Sequence, residues 1–196
     1  MAASKRIVLG SGKLYVAEFT DATQIDTPQK IQGLCVDANL IGYIKGGASL
    51  AYTPTFYTAT DDLGYVTKTI ITDEEAVLTS GVMTWNGNTL EKLSATGRVT
   101  EDKSNHLRIV KIGGIGNASN QNYIIIFHHE DDADGDIWVA IVGKNQSGFT
   151  LAFVKDQETV IDAEFRAGAQ DDSGTLITYI EEDSTITAST PANPNP

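Results

Sequence analysis

The chain has 196 residues, 41% hydrophobic and 20% charged, an ordinary globular balance that supplies one domain with a sizeable core. Its net charge of −12 is uneven: residues 1–127 carry 11 basic and 12 acidic side chains, residues 128–196 carry 3 and 14. Tight binding of nucleic acid needs a surplus of Lys and Arg, so that function is excluded, although an acidic wall would repel phosphates and let a polymer slide.

No run approaches the ~20 apolar residues of a membrane helix. The opening MAASKRIVLGSG has only Ile7-Val8-Leu9 after its two basic residues, against about 7–15 for a secretory apolar region. No cleaved signal is expected, and synthesis is expected in a cytoplasm. Cys35 is the only cysteine, which rules out an intrachain disulfide and a Cys-based zinc site. It is expected as a small buried apolar side chain.

Along the chain, Lys13–Phe19 alternates as a strand does. Residues 20–33 are polar and turn-prone around Asp26-Thr27-Pro28. Leu34–Val36 and Ile41–Tyr52 read as strand, and Gly46-Gly47 marks a bulge or bend. Pro54 predicts an edge position and a local break in the ladder. Thr55–Thr60 and Tyr65–Thr72 are rich in Thr, Tyr, Val and Ile and flank the polar turn Asp61-Asp62-Leu63-Gly64. The result is a long hairpin over about residues 43–80, followed by strand or turn to Trp85. Its reach exceeds what a small domain needs for its own core.

Asn86–Ser94 is the helix candidate, with Asn86 or Asn88 as cap and Leu90 and Leu93 on one face. Residues 95–105 read as a loop, His106–Ile112 as a strand, and GGIGNASNQ as a flexible glycine-rich loop. Asn122–His129 and Ile137–Val142 form a second hairpin around the turn DDADGD. Phe149–Val154 fits a strand or a short helical turn. Thr159–Ala167 and Thr175–Ile180 alternate as strands on either side of a turn at Asp171-Asp172-Ser173-Gly174. The closing STPANPNP has the composition of a disordered tail. No internal repeat is present. The expected fold is mainly β: a β-sandwich or barrel with one short flanking helix and a long extended hairpin, a single domain over residues 1–183.

Chemical motifs fail one by one. Gly12-Lys13 has Ile7 where a phosphate loop places its first glycine, and Leu14 where it places Ser or Thr. Gly113-Gly114-Ile115-Gly116 lacks the third glycine of a dinucleotide loop. The 131–136 acidic run has Ile141 where a calcium loop needs a bidentate Glu. His128 and His129 are strand neighbours, which point to opposite faces and cannot easily share a metal. Asp73-Glu74-Glu75 and Glu181-Glu182-Asp183 read as solvated charge runs, and Asn117 and Asn145 head sequons that no secretory signal supports. No enzyme activity, cofactor or metal is expected, and a structural or binding role gains weight.

The blocks GYIKGGASLAYTP…DDLGYVTKTIITDEEAVLTSGVMTWNGNTLEKL and VAIVGKNQSGFTLAFVKDQETVIDAEFRA…DDSGTLITYIEED, taken in order, resemble the tail tube (major tail) proteins of bacteriophages and phage-derived particles. The similarity covers about residues 5–183. It implies a small β-sandwich or barrel with a helix on its side, six copies closing into a ring, and rings stacking into a hollow tube that conducts DNA without tight binding. Implied partners are further copies of the chain, baseplate or tip and terminator proteins, and a sheath where the tail has one. The implied place is the virion tail, after synthesis in the bacterial host cytoplasm.

For the inter-subunit, lumen-lining hairpin the resemblance implies Ser49, Ala51, Thr53, Thr55, Tyr57, Asp61, Asp62, Tyr65, Thr67, Thr69, Asp73, Glu74 and Glu75. Candidate inter-ring residues are Lys5, Arg6, Arg98, Glu101, Asp102 and Lys103, with an N-terminal arm at about 1–12 and a tail at 184–196. Thr53, Thr55, Thr58 and Thr60 are expected to suit a water-lined bore, and Tyr52, Phe56, Val66 and Ile70 the packed side. The alternative is a β-sandwich carbohydrate-binding or adhesion module, using Trp85, Trp138, Tyr57 and Tyr65 as exposed aromatic platforms.

Overall fold

The computed structural model describes residues 11–186; Lys5, Arg6, most of the N-terminal arm and all but the start of the C-terminal tail lie outside them. Strand takes 48% and helix 12%. In chain order the elements are β1 (Lys13–Glu18), α1 (Pro28–Gly33), β2 (Leu40–Thr60), β3 (Thr67–Val82), α2 (Gly87–Lys92), β4 (Arg98–Asp102), β5 (Leu107–Lys111), β6 (Tyr123–His129), β7 (Ile137–Asn145), β8 (Ile161–Gly168) and β9 (Ile177–Glu181).

All strand pairings are antiparallel, and six of them close a ring: β1–β2–β3–β8–β7–β6 and back to β1. β9 extends the sheet on the half of β7 that β8 leaves free, pairing Ile137–Ile141, while β8 takes Val142–Asn145. The main sheet is therefore a small closed barrel, one of the two expected architectures. β4 and β5 form a separate two-stranded sheet.

Alternation sends one set of side chains inward from every ring strand. Leu14, Val16, Ile41, Leu78, Val82, Ile125, Ile141 and Phe165 form that interior cluster, and α2 lays Leu90 and Leu93 against it. Only β1, β6 and β7 are also covered outside. There Tyr15, Ile124, Ile126, Trp138 and Val142 pack under α1 through Ile31 and against β9 through Ile180. β6 and β7 are thus buried on both faces, which is why they read as unbroken apolar runs. Gly143 is required in that wall, because a Cβ there would lie 2.0 Å from the Arg166 carbonyl oxygen.

The helix at 87–92 forms as expected, with Asn86 as its cap: the Asn86 carboxamide accepts from the Asn88 and Thr89 amides. Four expectations need correcting. Residues 28–33 are helical, so two α-helices are present; Pro28 fixes the first helical turn. Leu34–Val36 is no strand, since Leu34 closes that helix and its carbonyl accepts from the Asn39 carboxamide at 2.9 Å. The expected loop at 95–105 contains β4, paired with β5 from Arg98–Lys111 to Asp102–Leu107. Phe149–Val154 is neither strand nor helix, and holds only the isolated bridge Val154–Gln157. Cys35 is half-buried, its Sγ 3.7 Å from the Ile31 carbonyl oxygen, and burial pushes its thiol pKa up to about 11.

Phe165 is fully buried among these strands. Phe165→Ala should cost about 3–5 kcal/mol, read as a lower urea midpoint with an unchanged m-value.

Candidate assembly interface

The hairpin outruns the barrel. β1 pairs with β2 only at Leu40–Tyr43, and β8 pairs with β3 only at Val77–Val82. Residues 52–60 and their partners on β3 extend past the Val77–Arg166 pair. At ~3.3 Å per residue this arm reaches about 30 Å. Among the described residues no other strand pairs with either long edge of that arm. An unpaired edge of this length is a template for strand addition.

The side chains on the arm are exposed, large and apolar: Phe56, Tyr57, Ile70 and Ile71 on its length, Leu63, Tyr65 and Val66 at its tip. Tyr65 is 85% exposed. Scattered apolar residues are normal on surfaces, but a row of them along unpaired ladders marks an interaction site. The tip itself is rigidly built. The Asp61 carboxylate accepts the Val66 amide at 2.7 Å, and the Gly64 amide donates to the Asp61 carbonyl at 2.9 Å. The Val66 amide, followed by weaker neighbours, holds the Asp61 carboxyl below its ordinary range.

Two irregularities shape the ladder. Gly46 and Gly47 are two extra residues on β2, with φ of +83° and +80°, a region that favours glycine. Two extra residues preserve parity, so Ile44 and Ala48 both turn toward the interior cluster. Thr72 is one extra residue on β3, between Thr55–Asp73 and Phe56–Ile71, and a single insertion flips parity. Pro54 itself stays in register opposite Glu74, so the expected break falls one residue later.

The Thr72 bulge sorts the expected lumen residues. Ser49, Ala51, Thr53, Thr55, Tyr57, Asp73 and Glu75 share the face turned away from the barrel interior. Thr67, Thr69 and Glu74 share the other face with Tyr52 and Phe56. Thr53 and Thr55 therefore do not share a face with Thr58 and Thr60, correcting the expected threonine stripe, and Ile70 lies opposite Tyr57 rather than with Phe56. Asp61, Asp62 and Tyr65 belong to the tip. On the interior-side face the Tyr52 hydroxyl donates to the Glu74 carboxylate, and Thr58 bonds Thr69 at 2.9 Å. On the other face Arg166 of β8 holds Glu75 in an ion pair.

The candidate inter-ring residues within the described range sit on the β4–β5 hairpin. Arg98 reaches the Gly113 carbonyl and Glu101 pairs with Arg108 at 3.0 Å. Asp102 is occupied inside its own turn by Ser104 and Asn105, whose hydrogen bonds pull its pKa to about 2. It is a turn-former, and Lys103 lies beside it.

Two aromatic platforms of the alternative reading are not on the surface. Trp138 is buried and stacks on His128 at 4.8 Å, and Trp85 is half-buried against Phe153. His128 and His129 turn opposite ways, His128 Nε2 to Asp136 at 2.9 Å and His129 Nδ1 to the Ser11 carbonyl at 2.8 Å. Asn145 is buried with its amide on the Leu93 and Gly148 carbonyls, closing that sequon to modification. No helix among the described residues is long and apolar enough to cross a membrane, and they hold no cluster fit for a metal.

Sequence reasoning placed the hairpin and set Tyr52 and Phe56 on one face, but put Ile70 with them where the structure puts Ile71. The signal for the lower half was present in Ala76, Leu78, Ser80 and Val82, alternate positions that are all buried. Nothing in Thr72-Asp73 announces the bulge. No protein-family model matches the chain, and no curated protein matches it.

Burial opposes the charge on Asp136, but the Asp131 amide and His128 outweigh it and lower its pKa. A depressed carboxyl pKa means the unfolded chain binds more protons, so this stability is present above the ordinary carboxyl range and lost below it. Acid titration of stability below about pH 4 should show a loss that Asp136→Asn removes.

Proposed function

We propose that this chain is the subunit of a phage-type tail tube. Copies join through the β2–β3 hairpin into rings, and rings stack into a hollow conduit for DNA. The observation that carries this reading is one hairpin that projects about 30 Å beyond a closed barrel and, among the described residues, leaves both its long edges unpaired. Pairing the β2 edge of one copy with the β3 edge of the next is a heterologous contact, and it removes both edges once the ring closes.

The charge pattern favours that pairing over a two-fold one. β2 carries no charge from Ala48 to Thr60, whereas β3 carries Lys68, Asp73, Glu74 and Glu75. A β3–β3 contact sets like carboxylates against each other, which is destabilising, while β2–β3 alternation keeps an uncharged strand between them. The sixfold ring, the tip and terminator proteins that end the tube, a sheath around it, and a place in the virion after cytoplasmic synthesis follow from the family resemblance. The net charge of −12 suits passage of DNA without grip.

The test keeps the barrel and removes the arm. Tyr52 and Ala76 are directly paired, so residues 53–75 can be replaced by an Asn-Gly turn. The variant should fold and stay monomeric, while the wild-type chain at high concentration gives rings or hollow tubes by negative-stain microscopy. Tubes from the armless variant, or a wild-type chain that stays monomeric and binds glycans, would sink the reading.

A further inference from the structure

We propose that the two faces of the hairpin have separate destinations. The face that continues the barrel interior packs against a second copy of this chain, and the opposite face lines a water-filled bore together with β8. This inference rests on the ring reading above and assigns the side chains within it.

The geometry starts from one continuous sheet. Its lower half covers the chain's own barrel, with Ala76, Leu78 and Val82 turned into the interior. The protein body therefore lies on that side of the sheet. Past the last β8 pair the same side presents Tyr52, Phe56 and Ile71, which nothing among the described residues covers: Phe56 is 58% and Ile71 52% exposed. When a neighbour's β3 edge meets this β2 edge, the two sheets run on as one, and the apolar side faces the neighbour's barrel. The remaining side can only face the axis.

Charge separates the two sides in the same sense. The outward side of β8 is continuous with the Thr53–Tyr57 side of the hairpin, because Val77 pairs with Arg166, Thr79 with Glu164 and Gly81 with Asp162. That combined surface carries Asp73, Glu75, Asp162 and Glu164 against Lys68 and Arg166. The other side of the arm carries one carboxylate, Glu74, and the Tyr52 hydroxyl already bonds it. Desolvating the first surface would strand several charges, whereas desolvating the second involves a single carboxylate that already holds a hydrogen-bond donor. The second copy is the fitting occupant, since the β2 edge that brings it alongside is uncharged and its own β3 carries the complementary free edge.

Adjacent residues on opposite faces give the test. Thr55→Cys and Phe56→Cys are made with Cys35 in place; its half-buried, high-pKa thiol is a quiet background that the wild-type chain calibrates. A small charged methanethiosulfonate is applied to free subunits and to assembled tubes, and labelling is counted by mass spectrometry. Both positions should react in the subunit. In tubes Thr55→Cys should keep its rate, and Phe56→Cys should slow on the order of 100-fold as access is lost. A Phe56→Cys subunit that folds but fails to assemble, while Thr55→Cys assembles, supports the same assignment. Equal rates in tubes, reversed protection, or the converse loss of assembly overturns it while leaving the ring reading intact. A wild-type chain that forms no assembly overturns both.

Discussion

Every strand in a sheet offers a row of N–H and C=O groups on each side, and an unpaired row is left for water or for another chain. In this protein that requirement is met almost everywhere by closure. Six strands pair in a ring, and β9 pairs the stretch of β7 that β8 leaves open. Among the described residues the longest exception is the part of β2 and β3 that runs beyond the barrel, where a row stays unpaired on each outer edge; β9 and the β4–β5 hairpin leave shorter ones. The rest of the design follows from that exception. The arm is pinned at its root by the Arg166–Glu75 ion pair and stiffened at its tip by the Asp61 turn. Both devices hold in place an element with little core of its own.

Burial is distributed to match. β1, β6 and β7 are covered on both faces, by the barrel interior on one side and by α1 and β9 on the other. β2, β3 and β8 are covered on one face only. The barrel thus has a finished wall and an unfinished one, and the arm grows from the unfinished one. A monomer built for solution would gain stability by shortening such an arm, since ordering it costs conformational entropy at ~1–2 kcal/mol per residue with few contacts in return. A partner that supplies backbone pairs and apolar contact offsets that cost.

Much of this was legible in the residues. The hairpin at 43–80, the acidic turn at 61–64, the second hairpin around 131–136 and the Asn86-capped helix all carry strong local signals: turn chemistry, capping chemistry and alternation. What was missed is of two kinds. α1 is a six-residue helix, PQKIQG, too short for any period to register, and it forms because Ile31 docks on β6 and β7 from outside. β4 carries RVTED, a charged run whose partner β5 supplies the order. Composition identified the arm, and alternation sorts β2 into its two faces, but which outer residues of β3 share each face depended on one extra residue at Thr72. Register is a property of the pair, and a single strand's sequence does not contain it.

The register of β3 with β8 also places part of the negative charge. The hairpin alone is mildly acidic, with Asp61, Asp62, Asp73, Glu74 and Glu75 against Lys45 and Lys68. The excess sits beyond residue 127, on segments that in sequence lie far from the arm. Antiparallel pairing of β3 with β8 brings part of it back, placing Glu164 across from Thr79 and Asp162 across from Gly81 on the very face that carries Asp73 and Glu75. An axis-facing surface built this way repels phosphate through carboxylates on two strands of each copy, while Lys68 and Arg166 keep neighbouring copies from repelling one another outright. Had pairing run on without a bulge, Thr72 would sit opposite Phe56 and Ile71 opposite Tyr57, while Phe56 and Tyr57 themselves, on the unbroken run of β2, would keep their sides. The extra residue at Thr72 therefore determines which isoleucine joins Phe56 on the interior-side face, Ile71 rather than Ile70.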